Sequence, residues 1–293
     1  MSPFFHYNAT FDPEEVMRRH AVVNLRPREG YLINFLGVAI DPKFFPLILQ
    51  DRANQVEDIP IPANWHADIA EWGAALRAVD LSGSSFTVME LGCGWGCWIN
   101  NTGVAARRSG RTPYLIGLEG DRGHIAFARE AYRANGFLDS QVTLHHGIAA
   151  AIDGMALFPR QETAGVRWGL EPILNATAQE RAKLLATGRY EELSMISLAT
   201  AARGHPRVDL LHVDIQGGEA DLVAGSMTFL QEHVAYLVIG THSRAIEGRL
   251  FDVLLSASWQ LEIERPAILC LGEFPTVTVD GVQGWRNQSL LPL

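Results

Sequence analysis

From Ser85 onwards, apolar β-rich runs alternate with stretches of helical periodicity. This alternation is typical of a parallel sheet that is covered by helices on both faces. The predicted strands are Phe86–Leu91, Tyr114–Glu119, Gln141–His146, Val208–Asp214, Val234–Gly240, Gln260–Glu264 and Thr276–Val279. The predicted helices are Trp98–Arg108, Gly123–Asn135, Gly217–Gln231 and Arg244–Ser256. We therefore expect an α/β fold with a seven-stranded, mostly parallel sheet.

The N-terminal segment, residues 1–84, has a different character from the rest of the chain. It is rich in proline and aromatic residues, with helical patterns near Asp12–His20 and Ala67–Val79. Such a segment could not easily bury a core alone, so we expect it to form a partly helical cap or lid over a domain of residues 85–293. Within that domain, the polar, glycine-containing stretch 150–195 interrupts the alternation of strands and helices. We interpret it as an insertion near the sheet edge that carries the active site.

The charge balance argues against nucleic acid or anionic lipid as a partner. The 293 residues carry 24 Lys and Arg against 33 Asp and Glu, which gives a formal net charge of −9, and the only lysines are Lys43 and Lys183. Surfaces that bind a phosphate backbone or anionic lipid need clustered Lys and Arg. We expect a small-molecule or glycan partner and no nucleic acid.

The N-terminus and the cysteines favour a cytoplasmic protein. The opening MSPFFHYNATFDPEE has no basic segment followed by an apolar run. The apolar stretch Tyr31–Ile40 is far shorter than the roughly 20 residues that a membrane helix needs. Three cysteines are too few for a disulfide scaffold and fit a reducing compartment. We expect no membrane span, and the sequence leaves the oligomeric state open.

The most informative local pattern is ELGCGWGCW at the end of the first regular strand. It places Gly92, Gly94 and Gly96 at alternate positions between a strand and a helix. Glycine lets the backbone turn tightly there and approach a ligand without obstruction by a Cβ atom. A plain strand-to-helix turn needs only one or two glycines, so the pattern predicts a ligand at this edge.

Two cofactor classes use such a loop. A dinucleotide fingerprint has the form G-x-G-x-x-G, whereas here Cys97 stands at the third glycine position. The form E-x-G-x-G-x-G resembles motif I of the class I S-adenosylmethionine-dependent methyltransferases, which have a Rossmann-like fold. The resemblance implies that the loop wraps the amino-acid part of the cofactor and that Glu90 helps to orient the loop and the cofactor amino group. A nicotinamide-dependent oxidoreductase remains a less favoured alternative.

Three further residues are predicted to contact the cofactor. Glu119 ends the second strand, where both cofactor classes place a carboxylate that accepts hydrogen bonds from the ribose hydroxyls. After the third strand, Gly147 and Ile148 fall where such enzymes line the adenine pocket. The acidic residue expected nearby is displaced, since Asp153 lies several residues further on.

The segment Val208–Ser243 carries a second pattern, which concerns the type of methyltransferase. An apolar strand ends in Asp214, a glycine turn and a helix with Glu219 follow, and the next strand ends near His242. This pattern resembles the FkbM family of methyltransferases, in which one strand ends in D-x-E-G-x-E and the next ends near a histidine. The resemblance covers about residues 85–285, including the closing TVTVDGVQGWRN, which looks like the last hairpin strand of the sheet.

One position departs from the FkbM pattern. Gln216 stands where the family usually has glutamate, in the sequence DIQGGE. If the family carboxylate contacts substrate or assists a base, its role is changed here. The departure keeps open a non-catalytic, cofactor-binding scaffold as an alternative function.

Position in the sheet selects the candidate catalytic residues. Ligands of open α/β sheets bind beyond the carboxyl ends of the strands, which singles out Asp214 and His242. We expect His242 to act as general base and Asp214 to orient the acceptor, position the cofactor or polarise His242. His212, inside an apolar strand, is expected to be a hydrogen-bonded core residue. The next strand ends without a paired carboxylate or Asn, so no metal is expected, although Mg²⁺ is not excluded.

The sequence therefore predicts an S-adenosylmethionine-dependent O-methyltransferase. The cofactor supplies the electrophile, so the protein mainly orients the acceptor and removes its proton. The FkbM resemblance implies a hydroxyl of a sugar, glycan or polyketide-type small molecule as acceptor.

Overall fold

The computed structural model describes residues 2–292. The strands are β1 (Asn8–Ala9), β2 (Leu32–Ile33), β3 (Ala39–Ile40), β4 (Gln55–Val56), β5 (Ser85–Leu91), β6 (Thr112–Glu119), β7 (Val142–His146), β8 (Ile148–Ala150), β9 (Gly154–Pro159), β10 (Tyr190–Ser197), β11 (Leu210–Val213), β12 (Tyr236–Thr241), β13 (Trp259–Arg265), β14 (Ile268–Cys270), β15 (Thr276–Val279) and β16 (Gly281–Asn287). The α-helices are α1 (Pro13–His20), α2 (Pro46–Leu49), α3 (Ile69–Leu81), α4 (Cys97–Arg108), α5 (Arg122–Ala134), α6 (Ala178–Ala186), α7 (Leu198–Ala201), α8 (Glu219–Gly225), α9 (Met227–His233) and α10 (Arg244–Ser256). Short 3₁₀ turns cover Pro3–Phe5, Pro42–Phe44 and Asp139–Gln141.

The central sheet confirms the predicted α/β, Rossmann-like fold. Its eight strands lie in the order β1-β13-β16-β12-β11-β5-β6-β7. Strands β7, β6, β5, β11 and β12 are parallel, β16 runs antiparallel to both of its neighbours, and β1 adds an antiparallel edge strand. The strand order reverses between β5 and β11. Doubly wound sheets bind ligands in the crevice that such a reversal opens at the carboxyl ends of the strands.

Helices cover both faces of the sheet. Apolar residues of α3 and α4 join those of β5 and of the preceding N-terminal segment in one hydrophobic cluster. Apolar residues of α8 and α10 form the second cluster against the opposite face of β11 and β12. Within residues 2–292, no helix is long and apolar enough to cross a membrane.

Smaller sheets surround the carboxyl edge. The predicted insertion, residues 150–195, contains β9, α6 and most of β10, and these strands form a sheet in the order β8-β10-β9 with the strand β8 at its start. The N-terminal segment contains the sheet β3-β2-β4 and the helices α1 to α3.

Two predicted elements differ from the structure. The predicted helix Gly217–Gln231 is split into α8 and α9 at Ser226, next to Gly225, because glycine and serine are poor helix formers. The predicted strand Thr276–Val279 pairs with β14 in a separate hairpin, and the central sheet instead uses the following run Gly281–Asn287. That run is buried throughout but contains Gln, Arg and Asn, so it lacks the apolar composition of a central strand.

Candidate active site

Three glycines of the loop have a left-handed backbone conformation. Gly92, Gly94 and Gly96 have φ angles of +70°, +53° and +78°, a region that glycine adopts without steric cost. The N–H of Gly92 donates to the carbonyl of Leu118 at 2.9 Å, which fixes the loop to the end of β6. A Cβ atom on Gly92 would collide with the carbonyl oxygen of Asp214. The predicted turn therefore lies between β5, β6 and β11.

Glu90 serves the helix that follows the loop. Its carboxylate accepts hydrogen bonds from the N–H groups of Trp98 at 3.1 Å and Ile99 at 3.0 Å, in the first turn of α4. Burial raises the pKa of Glu90 to about 7, although the nearby His212 and these two N–H donors oppose the rise. Glu90 thus caps the first turn of α4, and its role in orienting the loop and the cofactor amino group stays a prediction.

Glu119 is anchored at the carboxyl end of β6. Its Oε2 accepts a hydrogen bond from the N–H of Gly94 at 2.8 Å, and its Oε1 accepts one from the N–H of Asp121 at 2.7 Å. A carboxylate has about four lone-pair sites. Two bonds therefore leave it able to accept further hydrogen bonds from ribose hydroxyls.

A cavity of about 760 Å³ opens at this edge, and all of the predicted cofactor residues except Gly96 line it. Gly92, Gly94 and Glu119 line one part of it, together with Gly147 and Ile148. Asp214 faces the same cavity from the end of β11. Small-molecule sites typically have volumes of about 300–1,000 Å³.

Trp168, from the inserted stretch, packs over the glycine loop. Its ring stacks against His124, with ring centroids 4.1 Å apart, and against Phe45, with centroids 4.5 Å apart. A Cβ atom on Gly94 would lie 2.6 Å from Cζ3 of Trp168. The insertion and the N-terminal segment thus close the cavity above the loop.

Asp214, Glu219 and His242 meet at the edge of the cavity, and of the three only Asp214 lines it, so the predicted base His242 does not reach the cavity wall. The Nδ1 atom of His242 lies 2.9 Å from Oε1 of Glu219, and its Nε2 atom lies 3.3 Å from Oδ1 of Asp214. The side chain of Glu219 is fully buried, whereas that of Asp214 is 46% exposed. Asp280 adds a third carboxylate, 3.8 Å from Nε2 of His242.

These carboxylates change the expected chemistry of His242. Burial lowers the pKa of the imidazole, but the paired carboxylates of Asp214 and Glu219 outweigh burial and raise the pKa to about 10. His242 is therefore an imidazolium at neutral pH in the ligand-free protein. Because a protonated imidazole has no free lone pair, these contacts favour charge pairing of His242 with Asp214 and Glu219, and the role of His242 as general base stays a prediction.

Gln216 explains how the chain departs from the FkbM pattern. It adopts a left-handed backbone with φ of +60°, and its Nε2 donates a hydrogen bond to Oδ1 of Asp214 at 3.0 Å. A glutamate with the same side-chain conformation would bring a second negative charge against Asp214 and would offer no donor. Glutamine at position 216 thus donates a hydrogen bond to Asp214, where a glutamate would repel its carboxylate.

His212 is the main residue that sequence reasoning misjudged. It is 2% exposed, and its Nε2 atom lies 2.9 Å from Oε1 of Glu71 on α3. Its Nδ1 atom has no hydrogen-bond partner, and the residue lines the cavity. It is therefore not the fully hydrogen-bonded core histidine that the apolar strand suggested. Its alternation with Asp214 along the strand, which puts both on one face, was the available signal.

His66 is a further cavity residue that the sequence did not predict. It comes from the N-terminal segment, lines the cavity, and lies with Nε2 2.6 Å from Sγ of Cys97. Burial, together with the nearby His212, lowers the pKa of His66 to about 4, against the opposing pull of Asp214. No periodic pattern surrounds His66, so only the three-dimensional packing could bring it to the site.

A comparison of the whole chain with known proteins decides its family. A protein of Jannaschia sp. (strain CCS1), named "Putative methyltransferase", is 44% identical over 262 residues, which cover 89% of this chain and 94% of that protein. The chain belongs to this methyltransferase family. The parallel sheet and its glycine loop are consistent with the methyltransferase assignment.

Comparison with family models and solved structures adds little detail about this methyltransferase. No family model matches the chain, so the FkbM resemblance stays a prediction. The structure of the METTL16 MTase domain aligns with a TM-score of 0.44 and 13% identity, over 94% of this chain and 92% of that one. The precorrin-6y C5,15-methyltransferase of Geobacter metallireducens GS-15 aligns with a TM-score of 0.39 and 8% identity, over 72% and 86% of the two chains. Neither likeness bears on the acceptor.

Proposed function

We propose that the protein transfers a methyl group from S-adenosylmethionine to a hydroxyl of a small-molecule acceptor, of the sugar, glycan or polyketide type. The observation that carries the proposal is a single cavity that joins the glycine loop and Glu119 to Asp214. In this arrangement the cofactor and the acceptor hydroxyl occupy adjacent parts of one site. The net charge of −9 supports a small acceptor rather than a nucleic acid.

The cofactor half of the site follows from the loop. The amino-acid part of S-adenosylmethionine would lie along Gly92 and Gly94, while Gly96, which does not line the cavity, would turn the chain into α4. Glu119 would accept hydrogen bonds from the ribose hydroxyls, and Gly147 and Ile148 would border the adenine. This placement is supported by the lining of the cavity and by the free lone pairs of Glu119.

The acceptor half lies towards the N-terminal segment. His66, Trp98 and His212 line this part of the cavity, and the ring of Trp98 stacks on that of His212 with centroids 5.0 Å apart. The unpartnered Nδ1 atom of His212 offers a hydrogen bond to a polar group of the acceptor. An apolar wall with a few fixed polar groups is usual for a small-molecule site.

The methyl transfer itself needs few protein groups. Bound S-adenosylmethionine would supply an electrophilic methyl group to the acceptor oxygen and would leave as S-adenosylhomocysteine, so the protein would have to orient that oxygen and remove its proton. Asp214 faces the cavity and accepts the hydroxyl proton, which then passes to solvent. His242 is a positioning residue that holds the Asp214 carboxylate.

Calorimetry with S-adenosylhomocysteine and with NAD⁺ tests the cofactor assignment. We expect S-adenosylhomocysteine to bind and NAD⁺ not to bind, because Cys97 replaces the third glycine of a dinucleotide loop. Binding of NAD⁺ alone would overturn the proposal. A panel of glycosides and hydroxylated metabolites, followed by release of S-adenosylhomocysteine, then separates an enzyme from a cofactor-binding scaffold.

Asp214→Asn should lower kcat by about two to four orders of magnitude, since loss of a proton acceptor typically costs that much. His242→Gln should lower kcat in the same direction while the KM for the cofactor stays close to that of the wild type. Affinity for S-adenosylhomocysteine serves as the folding control. Near-normal turnover of Asp214→Asn would remove Asp214 from this role.

A further inference from the structure

The cluster of Asp214, Glu219 and His242 has a geometry that the proposed methyl transfer does not require. One potential ligand atom from each of the three residues lies within 4.8 Å of the others. With Asp280 nearby, three carboxylates face a single imidazole. Even with the imidazole protonated, the cluster keeps two negative charges in excess.

A second observation concerns a buried atom without a partner. The side chain of Glu219 is 0% exposed, and its Oε1 accepts hydrogen bonds from the N–H of Gly217 at 2.9 Å and of Ile215 at 3.3 Å. Its Oε2 is buried and has no hydrogen-bond partner. An unpaired buried carboxylate oxygen is costly. A cation beside it would remove that cost.

The imidazole of His242 contributes a second unpartnered atom to the cluster. Nε2 of His242 is buried without a hydrogen-bond partner, although Oδ1 of Asp214 is only 3.3 Å away. Two ligands of a tetrahedral ion, each about 2.0–2.2 Å from it, lie roughly 3.3–3.6 Å apart. The separation of these two atoms therefore already suits a shared ion.

We propose that Asp214, Glu219 and His242 bind one divalent transition-metal ion at the rim of the cavity. The ion takes the place of the proton on Nε2 of His242, and that proton passes to solvent. One nitrogen and two carboxylate oxygens favour a zinc- or manganese-like ion over Mg²⁺ or Ca²⁺, which prefer oxygen ligands alone. This inference replaces the sequence-based expectation of a site without metal.

The position of the site suggests what the ion does. Of the three ligands Asp214 lines the cavity, and we place the unfilled coordination positions of the ion on that side. A bound cation there would polarise the acceptor hydroxyl and lower its pKa. With the ion bound, Asp214 would be a ligand and the ion would replace it in activating the hydroxyl. This catalytic role depends on the proposed function, whereas the binding of the ion does not.

Titration of the chelator-treated, full-length protein with manganese chloride tests the site. Manganese is the probe because it has little affinity for the exposed thiol of Cys270. Isothermal calorimetry should give one ion per chain, and the electron paramagnetic resonance signal of free manganese should fall in parallel. Magnesium chloride should bind at least about tenfold more weakly, given the nitrogen ligand.

Variants locate the ion. Asp214→Asn and Glu219→Gln should each weaken manganese binding by at least about tenfold, as for changes around metal ligands. Glu232→Gln is the matched control, because Glu232 is exposed on α9 and should leave the affinity unchanged. Should the buried Glu219→Gln variant fail to fold, the half-exposed Asp214→Asn still decides the question.

The affinity of each preparation for S-adenosylhomocysteine, measured on the same sample, separates the two proposals. Normal cofactor binding without any manganese binding would overturn the metal site alone. Manganese binding of equal strength in the wild type and in Asp214→Asn would also overturn it, because the ion would then lie elsewhere. Manganese binding that is lost in the ligand variants supports the site even if no methyl acceptor is found.

Discussion

At the scale of single residues, burial shifts the pKa values of Glu90 and His66 in opposite directions. The pKa of Glu90 is raised from 4.5 to about 7, and that of His66 is lowered from 6.5 to about 4, in both cases with burial as the largest cause. Between pH 4.5 and 7 the folded state keeps a proton on Glu90 that the unfolded state has lost, so stability falls as pH rises. Between pH 4 and 6.5 the unfolded state holds a proton on His66 that the folded state lacks, so stability rises with pH.

The two contributions should therefore oppose each other between about pH 4.5 and 6.5. We expect Glu90→Gln to make stability rise more steeply with pH than in the wild type, and His66→Gln to make it rise less steeply or fall. One proton changes the slope by at most about 1.4 kcal/mol per pH unit. Urea unfolding at pH steps measures this difference between variant and wild type. Parallel curves for all three proteins would contradict the assignment.

His212 shows why the functional residues were harder to predict than the fold. From the sequence, a histidine between apolar neighbours is read as core, and this one is indeed 2% exposed. Its Nε2 atom is paired with Glu71, which lies 141 positions away along the chain, and its Nδ1 atom has no partner. No local pattern encodes that contact.

At the scale of elements, the glycine loop and Trp168 form one unit. Gly94→Ala would place a methyl group against the ring of Trp168, in a backbone with φ of +53°. We expect the ring to be displaced and the affinity for S-adenosylhomocysteine to fall by more than about tenfold, or 1.4 kcal/mol. Calorimetry checks the affinity, and tryptophan fluorescence reports on the ring.

Gly110→Ala is the matched control for that change. Gly110 also has a positive φ, of +80°, but nothing lies within 4 Å of the added methyl group. It should therefore show the cost of backbone strain alone, with cofactor affinity unchanged. Equal affinity losses in both variants would mean that strain, and not contact with Trp168, weakens binding.

Elements with regular periodicity were predictable, and those fixed by tertiary contacts were not. Helix α10 has the predicted bounds, and β5 and β6 differ by at most two residues at their N-terminal ends. Strand β16 was obscured because it buries Gln283 and Arg286, whose Oε1 and guanidinium groups are hydrogen-bonded to Trp285 and Gln260 respectively. Sequence composition cannot show such pairing, so it assigned the final strand too early.

At the scale of the whole molecule, the N-terminal segment is packed into the same core as the sheet. Trp72 and Leu76 of α3 share a hydrophobic cluster with Phe86 and Val88 of β5. Strand β1 extends the central sheet by pairing with β13. The segment expected to act as a lid is thus also a structural layer, and we propose that it folds together with the remaining chain.

The contact between Asp68 and Arg265 offers a direct test of that coupling. Asp68 caps the N-terminus of α3, where its carboxylate accepts hydrogen bonds from the N–H groups of Ala70 and Glu71. The same carboxylate pairs with Arg265 of β13, and both side chains are 3% exposed. Asp68→Asn keeps a good helix cap but leaves a buried guanidinium without its counter-ion. We expect the free energy of unfolding to fall by about 3–5 kcal/mol.

Asp12→Asn separates capping from charge pairing. The exposed carboxylate of Asp12 caps α1 by accepting a hydrogen bond from the N–H of Glu15 at 3.1 Å. Replacing this carboxylate with the amide of asparagine should change the free energy of unfolding by less than about 0.5 kcal/mol. Urea unfolding of the two variants, followed by far-UV circular dichroism and tryptophan fluorescence, compares them directly. A single, shifted transition in Asp68→Asn means that the N-terminal segment and the sheet unfold as one unit. Two separate transitions, or a loss no larger than in Asp12→Asn, would instead make that segment an independent lid.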